Sequence, residues 1–202
     1  MCSTTARKKA NSTVGETYYK VTRADGSLYY GVDTSWHLPK NGKPGKWMPE
    51  IEGDLVACNN GYHLCTRDTL VEWLGECVWV VEPREVVELD EKHLTRQARL
   101  VRKLETWNDR TARLFACDCA ERVLPIFENY YPKDNRPRKA IEVARQFADG
   151  KASEEELRAA RAAARAAAGP AWAAWAAWAA EAETLKECAI IVRKHLPMLE
   201  PV

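Results

Sequence analysis

The sequence predicts an α+β fold in which a small mixed N-terminal module is followed by an all-α, alanine-rich helical bundle. Three observations predict it. Two β-rich runs flank Asp25-Gly26, the strongest short-range signal for a hairpin. From about Glu91 onward apolar residues recur at three and four, the period of a helix. The stretch from Ala159 to Glu183 is dominated by alanine, the best helix former. On this reading residues 1–16 are a flexible tail, 17–90 the mixed module and 91–202 the bundle.

Taken in order, Tyr18 to Thr22 and Ser27 to Val32 are the arms of the hairpin. Residues 33–54 are crowded with prolines and glycines and read as a long surface loop anchored by Trp36, Trp47 and Met48. Leu55 to Cys58 is a short strand, Asn59-Asn60-Gly61 a turn, and Tyr62 to Cys65 extended. Thr66 caps a helix over Arg67 to Leu74, and Cys77 to Val81 is a buried strand closed by Pro83.

In the bundle, Leu94, Ala98, Val101 and Leu104 mark the first helix. The second runs from Thr106 to Tyr131, with Pro125 bending or restarting it. A loop spans Pro132 to Pro137, a third helix Arg138 to Ala148, and Gly150 ends it. Ser153 and Glu156 form a capping box for the fourth. Gly169-Pro170 breaks that helix, and a last one runs from Ala171 to about His195. Trp172, Trp175 and Trp178 share one face and read as a core stripe or a self-association surface, with a base-stacking platform as the alternative; Arg158, Arg161 and Arg165 line another face, which reads as solvated, with anion binding as the alternative.

Composition narrows the function. The 202 residues are 46% hydrophobic and 29% charged, with a formal net charge of +1, so no overall field recommends nucleic acid or an anionic membrane. No run approaches the roughly 20 apolar residues of a membrane span, and the first sixteen residues lack the apolar core of a secretory signal. A cytoplasmic protein is expected, its seven cysteines reduced. Cys58, His63, Cys65 and Cys77 have zinc-compatible chemistry but no zinc-site spacing, and Cys117 and Cys119 point apart on a helix. No metal, no cofactor and no complete catalytic signature is expected.

The charged residues around the Pro132–Pro137 loop are the candidate binding site. Asp118 and Arg122 stand four apart on one helix, Asp134 and Arg136 lie in the loop, and Arg138 opens the next helix. A guanidinium in a first helical turn opposes the helix dipole and needs a carboxylate, so Asp118 or Asp134 should hold Arg138. The five together predict one charge network, either structural or a polar pocket receiving a partner's side chain or phosphate.

The segments D-C-A-E-R-V-L-P-x-F-E from Asp118 and P-x-D-x-R-P-R-x-A-I-E from Pro132, with the alanine-rich helices beyond, resemble a helical family of immunity proteins from bacterial polymorphic toxin systems. The resemblance implies an all-α fold for the C-terminal half and a role in binding and neutralising a toxin. Asp118, Arg122, Asp134, Arg136 and Arg138 enter as members of its motifs. Y-Y-K-V-T-R, G-K-W-M-P and G-Y-H-L-C-x-R-D-x-L-V-x-W-L in the N-terminal half resemble an uncharacterised phage and bacterial module, distantly similar to ADP-ribosyltransferase-like folds. The expected function is therefore a non-enzymatic binding or inhibitory protein in bacterial or phage conflict, an immunity protein or a phage inhibitor of host defence. The alternatives are an ADP-ribosyltransferase-like enzyme or NAD-binding relic, and a nucleic-acid-binding or structural phage protein.

Overall fold

In the computed structural model, residues 9–10, 16–29, 34–89 and 92–168 are described. They divide into two compact units, a sheet unit ending at Glu105 and a helical unit beginning at Thr106.

The sheet unit is built on one long antiparallel hairpin, β4 (Cys77–Leu89) against β5 (Lys92–Lys103). On the outer edge of β4 lie β1 (Lys9–Ala10), paired near Val87 and Glu88, and β2 (Tyr18–Thr22), paired from Cys77 to Val81. On the outer edge of β5 lies β3 (Tyr62–Leu64). The same edge is extended by the irregular segment 45–51, whose Gly45, Met48 and Ile51 amides donate to Leu100, Ala98 and Arg96. At Gly45 the chains approach so closely that a Cβ would fall 1.9 Å from the His37 carbonyl oxygen. A register shift between Val80 and Val81 adds a bulge, which increases local twist.

The core of this unit gathers Tyr18, Trp36, Met48, Leu64, Trp79, Val81, Ala98 and Leu100. Each such aliphatic or aromatic side chain contributes roughly 1.5–3 kcal/mol of transfer free energy. The expected loop anchors behave as read for Trp36 and Met48, each 2% exposed. Trp47 instead lies between the guanidiniums of Arg84 and Arg99, at 4.6 and 4.7 Å from its ring centroid.

The fold class is corrected. The N-terminal half is not a small mixed module but a curled antiparallel sheet, and residues 92–103, expected as the first helix of the bundle, are its strand β5. Leu94 and Ala98 satisfy period two as well as period 3.6, Leu100 satisfies period two alone, and all three are fully buried. The thirteen-residue β4 leaves one long edge to be paired, and that non-local ladder overrides the local pattern. Arg67 to Leu74 yields only a short 3-10 turn, Leu70–Trp73. The turn at Asp25-Gly26 forms, with Gly26 at φ +86°, but its first arm pairs with β4 and Ser27 bridges to Ser35. Leu55 to Cys58 closes a turn rather than a strand. β4 passes through Pro83, at a point between its β2-paired and β1-paired stretches where β5 is its one neighbour.

The helical unit comprises α1 (Asp109–Tyr130), α2 (Arg136–Ala148) and α3 (Glu154–Ala168). Asn108 caps α1 in a reciprocal box with Thr111. Pro125 neither ends nor restarts α1. Pro137 sits in the first turn of α2, where its missing N–H costs nothing. Gly150 leaves α2 at φ +70°, and the Ser153–Glu156 box opens α3. The expected helix from Ala171 to His195, with its Trp172, Trp175 and Trp178 face, lies outside the described residues. No helix among the described residues is long and apolar enough to cross a membrane.

Lys20 of β2 donates to the His63 carbonyl at 3.0 Å, 5.4 Å from the Trp36 ring, and burial pushes its pKa from 10.5 down to about 8. The unfolded chain keeps that proton to about pH 10.5, so Lys20 raises stability as pH climbs through this window. Burial raises Cys65 to about 11 and Tyr18 to about 12, and these oppose the gain above their ordinary values of 9.0 and 10.0. Comparison with Lys20→Met isolates the lysine. Its stability advantage over wild type in urea unfolding should shrink by about 2–3 kcal/mol between pH 7 and pH 10.5. A constant difference contradicts the assignment.

Candidate functional site

The candidate site is built on the antiparallel pair α1 and α2. Cys117 and Leu124 of α1 meet Ile141 of α2, with Ala120 and Ala144 packed alongside. Small side chains let the two backbones approach, and three sets of ion pairs then tie the seam along its length. Arg110 at the start of α1 holds Asp149 at the end of α2, at 2.8 Å. Midway, Arg145 of α2 grips two carboxylates of α1, Asp118 at 2.5 Å and Glu121 at 2.6 Å, with its Nε on Glu121 at 2.9 Å. Near the connection, Arg138 makes a two-pronged pair with Glu128, both bonds 2.7 Å.

The middle clamp is the most enclosed, the Asp118 side chain being 12% exposed. Its hydrogen bonds to Glu121 and Asp118 raise the Arg145 pKa, so the guanidinium stays charged throughout the range in which the protein is folded. Arg138 is raised likewise by Glu128.

The connection between the helices carries its own clamp. Asp134 accepts from the Arg136 backbone N–H at 3.1 Å and from the Arg136 side chain at 2.8 and 2.6 Å, which holds its pKa below the usual carboxylate range. Tyr131 donates its amide to Phe127 and accepts from the Asp134 amide, so the turn is closed at both sides. An open concavity of about 580 Å³ is bordered by Tyr131, Pro132, Lys133, Asp134, Asn135 and Arg136. Beside it Tyr130 is 70% exposed and Tyr131 39%.

The five residues marked from the sequence therefore share the helical unit but not one network. Asp134 and Arg136 do pair. Asp118 pairs across the seam with Arg145, and Arg138 takes Glu128 rather than Asp118 or Asp134. Arg122 is exposed on α1. Sequence reasoning missed Arg145, Glu121, Glu128 and Tyr130. A signal for three of them exists: Glu128 and Arg138 are equidistant from Lys133, and so are Glu121 and Arg145. A helical hairpin turning near Lys133 brings such mirrored charges face to face.

In the sheet unit the zinc-compatible residues serve local structure. The Cys58 amide donates to His63 Nε2 at 2.9 Å, with Cys58 itself at φ +62°, and the His63 pKa is lowered by burial and by Lys20 and Lys92. Among the described residues no three His, Cys, Asp or Glu side chains stand within reach of one metal ion.

Residues 102–195 match a family model described as Imm-5 like putative immunity protein. The match takes in α1, α2 and α3, so the resemblance of the C-terminal part to immunity proteins stands. No curated protein and no solved structure matches the chain. The ADP-ribosyltransferase-like resemblance of the N-terminal half gains no support.

The middle clamp can be tested by a double-mutant cycle. Asp118→Ala should cost about 1–2 kcal/mol in urea unfolding, because Glu121 still holds Arg145. The coupling between Asp118→Ala and Arg145→Leu should be about 1 kcal/mol, and a coupling near zero contradicts a working clamp.

Proposed function

We propose that the helical unit gives the protein an immunity-type role, binding and neutralising a protein toxin in bacterial or phage conflict. The matched family supports the type of role, and the exposed corner between α1 and α2 is our candidate for the surface that carries it. The observation behind this choice is Tyr130, a large side chain left 70% exposed at the end of a helix whose other face is packed.

Tyrosine and arginine dominate the energetics of protein interfaces, and here Tyr130 and Tyr131 stand beside Arg136 and Arg138. Each arginine is pre-positioned by a carboxylate, Asp134 or Glu128, so little side-chain freedom remains to be lost on binding. Asp118 supports the corner from behind by locking the seam through Arg145. On this reading Tyr130, Arg136 and Arg138 touch the toxin, while Asp118 and Asp134 position, and Arg122 lies on the adjoining face of α1.

The toxin is to be recovered by copurification with the tagged full-length chain from its native host, and the affinity then measured by calorimetry. Tyr130→Ala and Arg136→Ala should each weaken binding by about 2 kcal/mol or more, with little change in melting temperature because both side chains are at the surface. Wild-type affinity in both variants contradicts the corner as the binding surface.

A further inference from the structure

We propose that the helical unit carries a second site, a cavity between α1, α2 and α3 that binds a single-chain anionic amphiphile such as a medium-chain carboxylate. The cavity has a volume of about 340 Å³. Its walls are apolar: Leu124, Phe127 and Ile141 are buried there, and Ala120 and Ala144 leave the space that larger side chains would fill. Small-molecule sites measure about 300–1,000 Å³ and combine such walls with a few convergent polar groups. An apolar cavity of this kind holds hydrocarbon more readily than water.

The polar groups at this cavity are all of one sign. Three arginines line it, Arg113 of α1 with Arg161 and Arg165 of α3, and no carboxylate does among the described residues. Elsewhere in the helical unit Arg110, Arg136, Arg138, Arg145 and Arg158 each hold an acidic partner. The three at the cavity form no such pair among the described residues. Arg113 lies over the Phe147 ring at 4.7 Å, which steadies its guanidinium without neutralising it. An apolar cavity lined by unneutralised guanidiniums complements a hydrocarbon tail ending in a carboxylate, which arginine receives in a two-pronged geometry. A neutral hydrocarbon would leave the charge unused, and a cationic amphiphile would be repelled.

This inference does not depend on the toxin, so it is tested without one. Dodecanoate is titrated into the full-length chain below its micelle concentration and followed by calorimetry. One molecule should bind per chain, and dodecyltrimethylammonium at least about tenfold more weakly. The double variant Arg161→Glu with Arg165→Glu should lose at least about tenfold in affinity, and Lys at both positions should retain more of it than Glu, since charge is kept and the fork lost. Ala144→Phe should abolish binding by filling the cavity. Because Arg161 and Arg165 are exposed, their variants keep the fold and report on the site alone. No saturable binding of dodecanoate, equal binding of the cationic amphiphile, or indifference to the charge reversal overturns the proposal.

Discussion

The hold of the Arg145 guanidinium on Asp118 and Glu121 decides where α2 lies on α1, and the features of functional interest follow from that placement. The apolar seam beneath it is thin. Cys117, Leu124 and Ile141 are its buried members, and Ala120 and Ala144 supply proximity rather than area. Packing of this kind is nearly indifferent to sliding by part of a turn, because alanines offer few knobs to lock a register. A bidentate pair is not indifferent, since two hydrogen bonds at 2.6 and 2.9 Å fix both position and angle. The Arg138–Glu128 and Arg110–Asp149 pairs are more exposed and contribute less individually. Their value is in repeating the same register at the two ends of the seam.

With the register set, the chain between Tyr131 and Asn135 spans a fixed gap. Asp134 can then close on Arg136, and Tyr130 at the end of α1 is left facing solvent. The same placement leaves space between α1, α2 and α3, because the alanines that line it, Ala120 and Ala144 among them, are too short to fill it. The corner and the cavity are thus two consequences of one arrangement. They differ in chemistry: the arginines at the corner are neutralised by partners, whereas those lining the cavity form no ion pairs among the described residues.

The sequence disclosed the helices better than the sheet, for a physical reason. Helix ends are written locally: Asn108 with Thr111, Pro137, Gly150, and Ser153 with Glu156 each act within one turn of chain. The strands depend on partners far away. Residues 92–103 carry an apolar pattern that serves two periods, and only the length of β4 decides between them. Pro83 looked like a strand end because a proline forfeits a donor, yet a strand with one neighbour at that point tolerates it. The site was legible in the same measure. Asp134 and Arg136, two residues apart, pair as their spacing suggests. Asp118 has an arginine at the favoured helical spacing, but that spacing says nothing of its partner 27 residues away across the seam, Arg145. Nothing local marks Arg145; only the mirror placement of charges about Lys133 does.

The claim that this clamp governs the helical hairpin is tested most directly by native-state hydrogen exchange on the full-length chain, wild type against Arg145→Leu. The amides of Ala120 and Leu124 in α1 and of Ala144 in α2 are the reporters. If the clamp sets the register, these amides open together in the wild type, and the substitution lowers their common opening free energy by about 1–2 kcal/mol. Unchanged protection at all three, or loss confined to Ala144 while α1 stays as in the wild type, would contradict it.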